Sequence, residues 1–405
     1  MRMHQYLFLL FLLLKPFYWF SSGGLQIADV FFILSFGLYV LFVKKGEKIS
    51  IENNDKWLLY FVVCIVAINL FYGVLHGETN FIQASMYYVY NLLVVLIFRA
   101  YAEERDTFLV NVARICKVNL VLQLFFYITG IGRYFTASRY MGTFNDPKQM
   151  AFFVYISLMM AFLISRIRGG KLSLVYHVIA MALIFLTASA GMLMGMVLFY
   201  GLEALPKVRI LAQRQHSVRA ILIGTAFLAA LVLFSPEIGD YIVDVSESSI
   251  VERAEEKLSR IDESAAGPTN IEERGIDRLY LYPEKLLYGA GEGFHERFEQ
   301  SYLDGEVHST LLSVLFYYGV LPTAALLYWI YKNIGRLSAG NVAVVLSLFL
   351  ESLTLLNQRQ SLFWMIFVLL NVLYKKQTAE TETAAVPAAL RAGELKDTAT
   401  DTLLR

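Results

Sequence analysis

The sequence predicts an all-α fold, a polytopic membrane protein of about twelve transmembrane helices with one large external loop between the ninth and tenth. Three observations predict it. Apolar residues make up 57% of the 405 and charged residues 17%, against roughly 45–50% and about 25% in soluble domains. A water-soluble globule could not hide that much apolar surface. Apolar stretches also recur along nearly the whole chain, each near the ~20 residues that a helix needs to cross ~30 Å of hydrocarbon. Finally, the lysines and arginines of the short loops between the stretches fall mostly on alternate loops, roughly 19 to 4, and this bias places the cation-rich loops and both termini in the cytoplasm. The expected location is a membrane that the chain crosses many times.

Taken in order, the expected spans are 6–20, 27–43, 57–74, 81–98, 118–131, 150–164, 172–186, 192–205, 220–234, 309–331, 342–356 and 362–374. The first is not a cleaved leader, because Ser21-Ser22-Gly23 lacks a small-x-small site and a second span follows at once. Residues 235–307 form the external loop and hold over half of the acidic residues; loops of that length are usually functional or disordered. Ser249-x-x-Glu252 is a capping box opening an amphipathic helix with Ile250, Val251, Ala254, Leu258 and Ile261 on one face. Gly267-Pro268 ends that helix. A second helical segment over 271–287 carries Arg274 and Arg278 four residues apart, hence on one face, and Pro283 kinks its end. Residues 1–376 thus form one transmembrane domain, and the Ala/Thr/Glu-rich 377–405 read as a disordered cytoplasmic tail.

The net charge of +1 gives no bulk attraction for nucleic acid. Cys64 and Cys116 both lie in apolar runs, so neither a disulfide framework nor a cysteine metal site is available. The external loops lack Asp-x-Asp, and Gly289-x-Gly291-x-Gly293 has no preceding strand, so it reads as a plain loop rather than a nucleotide site. No cofactor and no metal are expected, and a group transfer would need a donor delivered by the membrane itself.

Unusual polar residues gather at the external ends of the spans: Arg133, Arg139, Asn145, Asp146 and Lys148 after the fifth, Arg274 and Arg278 in the long loop, His308 before the tenth, Asn357 and Arg359 before the twelfth. Cations on the side that normally lacks them call for a reason. An outward-facing cationic cavity supplies one, since arginine forks match phosphate oxygens; the competing reading is snorkelling to headgroups or pairing with loop acids. His308 at a helix N-terminus would keep a neutral, basic ring, because the positive end of the dipole disfavours the imidazolium. Helix capping is its competing role.

Several stretches resemble the O-antigen ligase and Wzy-type polysaccharide polymerase superfamily of membrane glycosyltransferases. Arg139-Tyr-Met-Gly142-Thr-Phe-Asn145-Asp-Pro147-Lys-Gln looks like its loop after span five. Arg278 with Gly289 and Gly291 resembles its long-loop arginine and closing glycines, and His308-Ser309 with Gly319 resembles the ligase signature. Asn357-x-Arg359 before Phe363-Trp364 is similar to its last external loop. Ser189-Ala190-Gly191 departs from the family's frequent Ser-Arg-Gly, and Pro322 departs from the ligase signature. The resemblance implies a metal-independent, inverting transfer of glycan from an undecaprenyl-diphosphate donor to a glycan or lipid-linked acceptor, alongside other polysaccharide-assembly membrane proteins. His308 would be the base, and Arg278, Arg139, Arg274 and Arg359 would hold the diphosphate. Glu306, Lys148 and Asn357 would support them, Glu306 as the rival base. A polymerase is expected, with a ligase as the alternative within the family and a lipid-linked-oligosaccharide flippase as the alternative outside it.

Overall fold

The computed structural model describes residues 1–21, 23–43, 51–136, 139–204, 270–335, 339–353 and 355–379. The expected ninth span, the capping-box helix, the Gly267-Pro268 hinge and the tail from 380 onward lie outside the described residues. Apart from one hairpin the described fold is all-α. Its helices are α1 (Met3–Leu14), α2 (Ile27–Leu38, continued by a π turn Tyr39–Val43), α3 (Asp55–His76), α4 (Asn80–Glu104), α5 (Asp106–Ile128), α6 (Pro147–Ile167), α7 (Leu174–Leu186) and α8 (Ala190–Ala204). Three four-residue helices follow, α9 (Asn270–Glu273), α10 (Arg278–Leu281) and α11 (Lys285–Tyr288). Then come α12 (Thr310–Tyr318), α13 (Val320–Ile334), α14 (Ala339–Ser352) and α15 (361–379).

Four described helices, α3 to α6, are long and apolar enough to cross a membrane, which marks a multi-pass membrane protein. Twelve crossings are not shown among the described residues. At 12 to 15 residues, α1, α2, α7, α8 and α14 rise about 18–22 Å at 1.5 Å per residue, short of the ~30 Å hydrocarbon core.

Helix ends follow local chemistry. Asp146 caps α6, its carboxylate accepting the Lys148 and Gln149 N–H groups at 2.7 and 3.1 Å, with Pro147 at the first helical position. Much of the Asn-Asp-Pro-Lys-Gln stretch is therefore a helix start. α6 is buried on nearly every side, as expected of a helix that is apolar all round. Before it, β1 (Arg133–Thr136) and β2 (Arg139–Gly142) form an antiparallel hairpin that the span pattern does not announce.

Two expected helices are broken. The segment 271–287 is three short helices rather than one, because the backbone turns left-handed at Gly275 (φ 66°) and Pro283 separates α10 from α11. The expected tenth span divides at Gly319 (φ 77°), where a Cβ would lie 2.6 Å from the Leu287 carbonyl oxygen. The break frees carbonyls at the end of α12, and the loop after α11 satisfies them: the Ala290 and Gly291 N–H groups donate to Phe316 and Tyr317 at 3.0 and 2.8 Å. Irregular backbone within a bundle is tolerated where such partners exist.

The two ends of the bundle differ. At one, Arg2 pairs with Glu104, and Lys375 with Glu52 and Glu103, so the first helix begins and the last helix closes on the same side. There Arg99, which falls just beyond the expected span 81–98 and so on a cation-rich loop, lies inside α4 and is buried, its Nε and Nη2 donating to the two Asp55 oxygens at 2.6 and 2.9 Å. The other end carries α9 to α11 and is called here the loop-bearing end.

Candidate functional site

Gly289, Gly291 and Gly293 all have positive φ, and a Cβ on Gly291 or Gly293 would fall 2.8 Å from the Tyr72 ring or 2.9 Å from the Phe81 nitrogen. Their small size lets the loop press against α3 and α4 and bury Glu292, 1% exposed, between them. Glu292 Oε2 accepts the Tyr88 and Tyr318 hydroxyls at 3.0 and 2.5 Å, and its backbone N–H donates to Asn69 at 2.9 Å. Its Oε1 accepts Nε and Nη2 of Arg359 at 3.2 and 2.5 Å. Nη2 of Arg359 also reaches Glu306 at 2.7 Å, and the guanidinium lies 5.1 Å above the Tyr87 ring. Burial alone would lower the Arg359 pKa, but the two carboxylates hold it well above the usual value.

His295 stands beside this pair, its Nδ1 3.3 Å from the Tyr317 hydroxyl and its Nε2 3.9 Å from Glu306. Burial, with Arg278, Arg359 and Arg297 nearby, pushes its pKa down to about 4 against the pull of Glu292, so the ring is neutral at pH 7. Arg297 donates to the Ala290 and Gly291 carbonyls and packs against the rings of Tyr72, Phe81 and Phe298. Burial brings its pKa to about 10, which leaves it charged.

Arg278 is fully buried; its Nε donates to Ser301 at 3.2 Å, its Nη2 to the Leu303 carbonyl, and its guanidinium lies 4.8 Å from the Phe298 ring centre. Arg274, 2% exposed, exchanges backbone and side-chain bonds with His308: its carbonyl accepts the His308 N–H at 2.9 Å, and its Nη1 donates to the His308 carbonyl at 3.4 Å. His308 is exposed, one residue before Ser309, the residue that precedes α12. Asn357 donates its side-chain amide to Glu351 and its backbone N–H to Thr310.

The loop-bearing end thus gathers Arg274, Arg278, Glu306, His308, Asn357 and Arg359. Arg139, in the hairpin after α5, bonds apart from these residues, its Nε donating to the Thr187 carbonyl at the end of α7 at 3.3 Å, and Lys148 takes part in the α6 cap through its backbone. Glu292, His295 and Arg297 escape the sequence reading, which took their surroundings as a plain loop; an acid set between two glycines beside apolar helices is the signal that could have found the first. Among the described residues, no group of three or more His, Cys, Asp or Glu side chains is placed to hold a metal ion. No protein-family model matches the chain, and no curated protein matches it either.

Proposed function

We propose that the chain is a membrane glycosyltransferase that polymerises a bacterial surface polysaccharide, with the loop-bearing end outside and both termini in the cytoplasm. The donor is a glycan on undecaprenyl diphosphate and the acceptor a hydroxyl of a second glycan. The observation that carries this reading is the convergence of Arg274, Arg278 and Arg359 with Glu306 and His308 at one end of a multi-pass bundle. Guanidinium groups at that place suit a diphosphate. The acceptor oxygen attacks the anomeric carbon while His308 takes its proton; the bond from that carbon to phosphate oxygen breaks, its electron pair leaves with the lipid diphosphate, and the configuration inverts. Glu306 is the rival base, and Arg359 holds its carboxylate.

A break such as that at Gly319 would also suit a flippase, since transporter sites are built from interrupted helices whose free carbonyls coordinate cargo. Here the Phe316 and Tyr317 carbonyls are taken by loop N–H groups, which favours the transferase. Losing a general base costs roughly 10²–10⁴-fold, so His308→Ala should nearly stop transfer while donor binding survives. A variant that keeps more than about a tenth of wild-type transfer moves the base to Glu306.

A further inference from the structure

Two carboxylates share the Arg359 guanidinium, and they hold it with unequal permanence. Glu292 is buried, both of its oxygens are bonded, its backbone N–H is held by Asn69, and the glycines on either side pack so closely that an added Cβ would meet Tyr72 or Phe81. Glu306 is 30% exposed and meets Arg359 through one oxygen. A half-exposed carboxylate loses little solvation when it changes partners, whereas a buried one has nowhere to go. A second partner for Glu306 stands at hand. Tyr317 accepts the Val307 N–H at 3.0 Å, so its own proton can go to His295 Nδ1, and the neutral ring then presents an Nε2–H to Glu306 at 3.9 Å.

The neighbouring arginines carry an excess of donors. Among the described residues, Nη1 of Arg278 and both Nε and Nη1 of Arg297 are buried with no hydrogen-bond acceptor, although Arg278 is fully enclosed. Leaving a buried charged donor unsatisfied is costly, and an anion with several oxygens would satisfy such a set.

We propose that Glu306 is an exchangeable anion on Arg359: it holds the position that a phosphate of the ligand takes, and it moves to His295 when that phosphate binds, while Glu292 keeps the guanidinium aimed. This rests on the phosphate reading above and adds to it a built-in competitor.

The test is calorimetric titration of the solubilised full chain with inorganic pyrophosphate and, separately, with geranylgeranyl diphosphate. Glu306→Gln should bind roughly threefold to tenfold tighter than wild type, the scale of a partly exposed ion pair removed from competition. In an Arg359→Gln background the same change should give no gain, since a general field effect would persist there and a competition for Arg359 would not. A gain with either probe supports exchange, and the probe that shows it identifies free or lipid-borne phosphate as the ligand. Unchanged or weaker binding by both Glu306→Gln and Glu306→Ala overturns the exchange while leaving the phosphate site standing. If neither wild type nor variant binds either probe, the phosphate reading fails and the exchange with it.

Discussion

Arg99 and Arg278 are both shut away from solvent, at 4% and 0% exposure, yet the two ends of the bundle treat them differently. Arg99 is saturated: Asp55 takes Nε and Nη2, Asn371 takes Nη1, Asn333 takes Nη2, and Glu52 lies 2.8 Å from Nη1. Trp329 adds an indole N–H to Asp55 at 3.0 Å, so α3, α4, α13 and α15 meet on one closed network. Arg278 meets a hydroxyl, a carbonyl and a ring, with no carboxylate among those partners, and keeps one nitrogen without an acceptor among the described residues. Full satisfaction suits an arginine that holds helices together; a buried guanidinium with a spare donor suits the phosphate role proposed for it.

The comparison breaks most visibly at Arg99. Removing one member of a buried pair costs about 3–5 kcal/mol, so Arg99→Ala should lower the thermal midpoint of the solubilised protein steeply while leaving pyrophosphate affinity unchanged in the fraction that stays folded. A stable Arg99→Ala protein would show that the closed network does not brace the bundle.

A smaller effect is expected at His295. Its folded pKa of about 4 lies below the ordinary 6.5, so between those values the unfolded chain binds a proton that the folded chain does not. Stability therefore falls as pH drops through that window and levels off below it. His295→Gln should flatten that part of the stability–pH curve, measured by denaturant unfolding in detergent. An unaltered slope would place His295 in a more open setting, and the tautomer drawn between Tyr317 and Glu306 would lose its basis.

Helix positions were readable because lipid leaves the backbone no partner but itself, so each crossing must be a continuous apolar run. The same rule hid the break at Gly319: the glycine sits within an apolar run, and the loop that satisfies the freed carbonyls is near in space but some 25 residues distant in sequence. Gly275 and Pro283 had more weight than the spacing of Arg274 and Arg278, and the segment became three turns instead of one amphipathic helix. At the site, Arg274, Arg278 and Arg359 stood out as cations on the side that usually lacks them. Glu292 and Arg297 did not, because their roles come from what the glycine-rich loop packs against. Arg99 was misplaced for the converse reason: Asp55, Asn333 and Asn371, which make its burial tolerable, come from three other helices.

The most direct measurement gives the purified full chain an oligosaccharide–diphosphate lipid and follows the length of the glycan, with Arg278→Ala and Arg278→Lys run beside the wild type. Hydrogen bonds to charged groups contribute about 1.5–3 kcal/mol, so transfer should produce longer chains in the wild type and fall about 10–150-fold in Arg278→Ala. Lysine, which keeps the charge and loses the fork, should restore part of it. A donor left unchanged by the wild type, or an Arg278→Ala protein that extends chains at the wild-type rate, would contradict the account.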